Sequence, residues 1–357
     1  MITVTRYLGR EIYKSTAFVA VAFAGLFAFF DLINELGDLG KGSYALPQAF
    51  LFVALSVPGH LYELFPIAVL VGTLIALSIM AGNSEYTVLR VSGLSPWRAA
   101  GTLARIGIWF VVLTVLLGEL AAPFAERAAQ RVRLGSLGAT VSQELKSGLW
   151  VKSDQLFVNI RQVMPDNTLR GVLIYDFDKA MHLLSISEAK TGHFLLDQTW
   201  QLGEVSRTRF GPDGATVDKI DAMKWTSVLT PDMLSVLMVR PEKMSAWGLY
   251  QYSQHLEQNH QRTDRYDIAL WKKVVYPFAV LVMMGLALPF AYVALRSGGV
   301  GVKMFAGIML GILFQLLNAL FSHLGVLDNW PPMLSAVLPS VLFLTTALGM
   351  MYWVERR

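Results

Sequence analysis

The residues best suited to chemistry are three arginines. Arg127, Arg131 and Arg133 stand together where a long apolar run gives way to a polar stretch. Arg127 and Arg131 are four apart, so on a helix they share a face. An arginine fork matches the oxygens of a phosphate. At a membrane surface such a cluster suits either the phosphorylated headgroup of one particular lipid or headgroup anchoring in general. The spacing alone leaves both open.

A second candidate is the stretch Ser84-Glu-Tyr-Thr-Val-Leu-Arg90, set between two apolar runs. Ser84 can cap a short helix that starts at Glu85, and Gly93 can end it. Glu85 would also favour the helix dipole, and Val88, Leu89 and Val91 would form an apolar face. Two readings stand: a capped turn, or a short helix that docks in a groove of a soluble partner.

Catalytic constellations are not found. His60, His182, His193, His255, His260 and His323 form no HExxH pair, and His255 and His260, five apart, have no acidic or thiol partner at metal-ligand spacing. There is no cysteine, which excludes disulfides, thiolate metal sites and cysteine nucleophiles. Gly298-Gly-Val-Gly-Val-Lys303 misses the phosphate-loop pattern, because Val302 precedes the lysine and Met304 follows it. The chain thus shows no means of hydrolysing ATP itself. Acidic side chains at membrane depth are functional candidates by default. Asp31, Glu35, Glu63 and Glu119 sit near span ends, however, where they can reach interfacial water. Gln315 and Asn318 suit hydrogen bonds between helices.

The elements that position these residues follow from composition. The chain has 357 residues, 54% hydrophobic and 16% charged, against about 25% charged in soluble domains. The apolar residues fall into long runs. Spans are expected near 12–30, 61–80, 99–122, 274–295, 304–321 and 333–353. Leu46 to Val57 is too short to cross about 30 Å of hydrocarbon alone and reads as an interfacial piece, separated from the second span by Pro58-Gly59.

Lysine and arginine in the short loops set the orientation. Arg6, Arg10, Lys14, Arg90, Arg98, Arg296, Lys303, Arg356 and Arg357 lie on one side, and Lys41 alone on the other. Both termini are therefore expected in the cytoplasm, with the polar middle outside. Lys272 and Lys273, like the three arginines, oppose this rule. The small net charge of +4, with basic residues at the ends of apolar runs, argues against nucleic acid as a partner.

The polar middle reads as β. Strands are expected at Gly148-Leu-Trp-Val-Lys, Gln155-Leu-Phe-Val-Asn-Ile and Leu173-Ile-Tyr-Asp-Phe, with a hairpin from His193 turning near Asp197-Gln198 and a turn at Gly211-Pro-Asp-Gly. Ala246 to Asn259 reads as a helix. The expected fold is an α-helical polytopic membrane protein with six transmembrane helices and an inserted all-β, jellyroll-like domain. Its divisions would be 1–126, with a short cytoplasmic helix near 84–92, then 127–266 for the β domain and 267–357 for the last three spans.

Several stretches carry a family resemblance. They are Leu55-Ser-Val-Pro, Phe65-Pro-Ile-Ala-Val-Leu-Val-Gly, Ser84-Glu-Tyr-Thr-Val-Leu-Arg-Val-Ser-Gly, Gly118-Glu-Leu-Ala-Ala-Pro, Gly148-Leu-Trp-Val-Lys, Leu295-Arg-Ser, and Pro331-Pro with Leu338-Pro-Ser. In that order, along nearly the whole chain, the set resembles the LptF/LptG family of lipopolysaccharide export permeases.

The resemblance implies a multi-pass protein of the bacterial inner membrane with a periplasmic jellyroll between spans three and four. It implies an LptF-like permease subunit, an LptB-like ATPase dimer and an LptC-like bridge protein as partners, and lipopolysaccharide as cargo. The chain itself would hold no cofactor, since ATP and Mg²⁺ would bind the partner ATPase. Glu85, Tyr86, Leu89 and Arg90 would form the ATPase-coupling helix. Arg133, Arg131, Arg127 and Lys41 would meet cargo phosphates, and Phe65, Phe314 and Phe321 would line an acyl-chain cavity. The segment Asp31-Leu-Ile-Asn-Glu-Leu-Gly-Asp-Leu-Gly-Lys41 is more acidic than the family pattern, which argues against a strong phosphate site at span one. The alternatives are a mechanotransmitting ABC-type permease and a membrane-anchored periplasmic binding or sensing protein.

Overall fold

The computed structural model describes residues 2–83, 85, 88, 91, 95–137, 149–153, 155–164, 168–178, 180, 182–195, 199–211, 214–227, 241–258, 261–293 and 300–356. Among these, six helical stretches are long and apolar enough to cross a membrane. They correspond to the six expected spans.

Helix α1 (Ile2–Leu36) leads through a short loop into α2 (Leu46–Gly82). The expected break at Pro58-Gly59 is absent: α2 is one helix of 37 residues, with Pro58 and Pro66 inside it. At about 1.5 Å per residue it is longer than about 30 Å of hydrocarbon requires. Leu46 to Val57 is therefore its first three turns and not a separate interfacial piece. Pro47 suits the first turn, where no N–H is needed, and packing against α1 keeps the helix intact through the later prolines.

Helix α3 (Pro96–Leu116) starts at Ser95, whose Oγ accepts from the Arg98 N–H at 3.3 Å. It continues through a π turn (Leu117–Ala121) into α4 (Ala122–Leu137). Pro123 has no N–H to give the preceding turn, and the wider turn just before it absorbs the mismatch. The result is a rod that carries the arginines beyond the span. On the C-terminal side, α5 (Ala246–Gln258) precedes α6 (Asp264–Val293), α7 (Val300–Leu327) and α8 (Pro332–Glu355).

Helix α2 is the hub, packing against α1, α4, α6 and α7. Leu8, Ile12, Phe65, Leu77, Leu103, Phe110 and Met284 form one buried cluster, and Leu70, Leu74, Met283, Phe314 and Phe343 another. In lipid this packing acts through close contact and not through water exclusion. Gly72 shows how close: a Cβ there would stand 2.5 Å from Thr16 of α1. The far faces of α1 and α7, with Phe18, Val21, Phe305 and Leu316, lie open.

The inserted β domain is present as expected. Its six described strands are β1 (Leu149–Ser153), β2 (Leu156–Val163), β3 (Leu169–Phe177), β4 (Leu183–Phe194), β5 (Thr199–Gly211) and β6 (Gly214–Thr226). They form one antiparallel sheet in chain order, without a Greek-key crossover among the described residues. The hairpin from His193 closes with Phe194 opposite Trp200, and the next with Gly211 opposite Gly214. Val158, Ile160, Val172, Ala189, Trp200, Leu202 and Val205 make its core. Strand β6 is exposed along most of its length, so it lacks the alternation that reveals a strand in sequence.

Candidate functional site

The site lies at the end of the helical bundle from which the β domain emerges. Three acids on α1 and its exit, Asp31, Glu35 and Asp38, follow at steps of four and three, so they share one face. Each meets a partner from another element. Asp31 pairs with His60 Nε2 of α2 at 2.6 Å. The Arg133 guanidinium of α4 reaches both others: Nε lies 3.3 Å from Glu35 Oε2, and Nη2 lies 2.8 Å from Asp38 Oδ2. The same guanidinium stands 5.6 Å from the centre of the Phe52 ring.

The loop between α1 and α2 is folded to make this possible. Ser43 donates to the Ser136 carbonyl twice, from its N–H at 2.8 Å and from its Oγ at 3.0 Å. Those contacts occupy a carbonyl in the last turn of α4 that has no helical partner. Gly42 sits at φ +58, and a Cβ there would stand 2.8 Å from the Ser136 and Leu137 carbonyl oxygens. Only glycine satisfies both demands. Lys41 Nζ donates to Asp38 Oδ1 at 2.6 Å, and Tyr44 O–H donates to Glu35 Oε2 at 2.7 Å.

The electrostatics follow from these contacts. The Lys41 ammonium, then the Arg133 guanidinium, holds the Asp38 carboxyl below its usual range. Burial, followed by the Glu35 carboxylate, pushes the Tyr44 phenol well above its usual value. Within the acidic segment after span one, Glu35 and Asp38 are thus balanced by Arg133 and Lys41 of the same chain.

The three arginines face different surroundings. Arg133 turns to α1, together with Lys41 through Asp38. Arg127 Nε donates to the Pro123 carbonyl of its own helix at 3.1 Å, and Arg131 is exposed. Two residues along a helix turn a side chain through about 200°, which explains the separation of Arg131 from Arg133. Of the acids expected to reach interfacial water, Asp31, Glu35 and Glu119 have protein partners instead.

Glu119 belongs to a second network, where the chain returns from the β domain. Its carboxylate accepts from the Ala246 N–H at 2.9 and 3.2 Å, an acid at the N-terminus of α5. Gly118 beside it clears Tyr62, whose Cε2 would stand 2.4 Å from an added Cβ. Lys273 is buried; its ammonium donates to the Met244 carbonyl and lies 4.0 Å from Glu119. Lys243 pairs with buried Glu126 of α4 at 3.0 Å. A cavity of about 340 Å³ adjoins this network, lined by Tyr62, Glu63, Lys272, Tyr276, Gln315 and Asn318 among others. Gln315 donates to the Glu63 carbonyl at 2.6 Å, the interhelical bond expected of it. Sequence reasoning noted Lys273 only as an exception to the charge rule. Glu126 and Lys243 gave no signal, since their partners are 117 residues apart.

At the opposite end, Glu85 accepts from the Tyr7 hydroxyl at 2.9 Å and from Asn83 Nδ2 at 3.3 Å, which ties it to α1. Val88 and Val91 are exposed, the latter 85%. Tyr86, Leu89 and Arg90 lie outside the described residues. Phe65 stands edge-on to Phe110 at 5.8 Å and Phe314 to Phe343 at 5.2 Å, both in the packed interior. Phe321 is half-buried, 6.3 Å from the Trp330 ring.

Comparison with known proteins agrees with this architecture. Residues 6–353 match the family described as lipopolysaccharide export system permease LptF/LptG. Among curated proteins, the chain is 31% identical over 356 residues to the lipopolysaccharide export system permease protein LptG of Haemophilus influenzae, covering 99% of this chain and 98% of that protein. It is 33% identical over 351 residues to the protein of the same name from Escherichia coli K12, covering 97% of each. With six apolar helices, an inserted β domain and a match over nearly its whole length, this chain belongs to the LptF/LptG family of lipopolysaccharide export system permeases.

Proposed function

We propose that the chain is a permease subunit of an ATP-driven exporter that draws lipopolysaccharide from the inner membrane and passes it to a periplasmic bridge. Its termini lie in the cytoplasm and its β domain in the periplasm. An LptF-like subunit pairs with it, an LptB-like ATPase dimer binds ATP and Mg²⁺, and an LptC-like protein receives the cargo. The helical divisions are 1–126 and 267–357, with the β domain and its connections between them.

The observation that carries this reading is Arg133. It stands on a rod continuous with a membrane span, at the β-domain end, beside the open apolar face of α1. A cargo with acyl chains and phosphates needs that pairing of apolar wall and guanidinium. Lys41 widens the basic rim there, and Arg131 and Arg127 offer further basic contacts on other sides of the same rod. Phe321 contributes to the apolar wall, with Phe65 and Phe314 behind it. At the other end, Glu85 fixed to α1 beside exposed Val88 and Val91 suits a helix seated in a partner's groove, with Tyr86, Leu89 and Arg90 completing it.

The test is purification of the C-terminally tagged chain from gently solubilised membranes. A P-loop ATPase and a second six-span relative should accompany it, and Glu85→Arg should remove the ATPase. A photo-crosslinker in place of Lys41, which shares Asp38 with Arg133, should capture lipopolysaccharide. Recovery of the chain alone in several detergents would overturn the exporter reading. Co-purification without lipid capture would favour mechanotransmission.

A further inference from the structure

Arg133 is occupied by carboxylates of its own chain. Glu35 takes Nε and Asp38 takes Nη2. A phosphate would use the same N–H groups, because the fork of a guanidinium has a limited set of donor edges. We propose that Glu35 and Asp38 are built-in competitors at Arg133: a lipid headgroup bearing a phosphomonoester takes the guanidinium by displacing them, and the exchange releases the end of α1 from α4. The proposal rests on the reading of Arg133 as a contact for cargo phosphate.

The way α1 is held supports the second half. Near its start, Leu8, Ile12 and Val19 are buried and Thr16 touches Gly72, so apolar packing fixes it. Near its end, Phe29, Phe30, Ile33 and Leu36 are all exposed. There the described ties are polar: Asp31 to His60, Glu35 to Tyr44 and Arg133, Asp38 to Arg133. Two of these run through the guanidinium that a phosphate would claim.

Charge supports the first half and adds selectivity. Arg133 and Lys41 carry two positive charges, and Glu35 and Asp38 two negative ones, so the closed cluster is formally neutral. A phosphodiester headgroup brings one negative charge and must replace two carboxylates. A phosphomonoester brings about 1.5 to 2, and so replaces them without leaving a cation unpaired. Lys41, which holds the other Asp38 oxygen and whose side chain is already exposed, is the second cation available to the headgroup. The acids thereby discriminate against the bulk phospholipid that crowds the same surface.

The absence of cysteine makes the movement measurable. Spin labels at Gly37→Cys and Gly135→Cys report the separation of α1 from α4. Both positions are exposed, and a Cβ at 135 meets nothing within 4 Å. The full chain, in its purified complex, is placed in phosphatidylcholine nanodiscs. Bis-phosphorylated lipid A should lengthen or broaden the distance distribution. Dephosphorylated lipid A and phosphatidylglycerol should leave it unchanged. Asp38→Asn combined with Glu35→Gln should give the open distribution without lipid and raise phosphatidylglycerol binding roughly tenfold, the worth of a charge-assisted contact.

Lipid A that binds with no change in distance would overturn the exchange while leaving the cargo reading intact. Equal lipid A binding by the parent and by Arg133→Ala would instead defeat the cargo reading of Arg133. If the double variant does not assemble, the lipid series on the labelled parent decides alone.

Discussion

Tyr44 and Arg133 hold the same oxygen: both donate to Glu35 Oε2, the phenol at 2.7 Å and the guanidinium at 3.3 Å. That carboxylate is only 5% exposed. It tolerates burial because a neutral and a charged donor, from the loop and from α4, replace its water. The contact joins elements that chain order keeps far apart.

Removing one donor should therefore cost stability. Arg133→Ala leaves Glu35 enclosed with Tyr44 alone, a loss of about 1–3 kcal/mol. A thermal melt of the detergent-purified complex should show a lower Tm. Adding Glu35→Gln should recover part of the loss, since the buried charge goes with it. A double variant no more stable than Arg133→Ala would mean that the pair is energetically idle.

Gly42 should resist substitution. Alanine there must hold φ +58 and fit a methyl group 2.8 Å from two carbonyl oxygens. Left-handed backbone alone costs about 1–2 kcal/mol for a residue with a side chain. Hydrogen exchange should speed up across 37–45 in Gly42→Ala, with the other loops unaffected. Unchanged protection would show that the loop relaxes freely.

The return from the β domain should loosen when its pins are drawn. Lys243→Ala leaves Glu126, itself 5% exposed, without its cation. Glu119→Ala removes the carboxylate at the start of α5, a loss of about 1 kcal/mol. Limited proteolysis should cut near 241–246 several times faster in either variant, with the β domain itself intact. Cutting at the parent rate would place the restraint elsewhere.

Acid should open the loop at Asp38. Its carboxyl is held below the ordinary range, so the folded chain binds a proton less readily than the unfolded one. The stabilisation is complete above the unfolded value of about 3.9 and fades as pH falls through the lowered folded value. The protection factors of 37–45, with intrinsic exchange divided out, should stay flat from neutral pH down to about 4 and fall below it. In Asp38→Asn that acid-dependent fall should shrink. An identical acid profile in both would assign the change to another group.

Much of the architecture was legible in advance. Six apolar runs named six spans, and Gly211-Pro-Asp-Gly named the turn between β5 and β6. Pro58 misled, because proline disfavours a helix by local rules while α2 is held by its neighbours. Strand β6 was missed because it is exposed along most of its length and buries only Trp225 fully. Arg133 was picked out by type and position, and helical geometry turns Arg131 away from it. The acids around it read as surplus charge, since their partner lies 95 and 98 residues further on.

The sequence by itself determined the spans, their order and the β insertion, because hydropathy and turn chemistry act over a few neighbouring residues. It also determined that Arg133 carries a fork able to take phosphate. Only the tertiary structure decided that this fork is already held by Glu35 and Asp38, and that Lys273 is buried against the return linker. Those pairings depend on how far one helix slides along another, and helix registration is set by packing across the whole bundle.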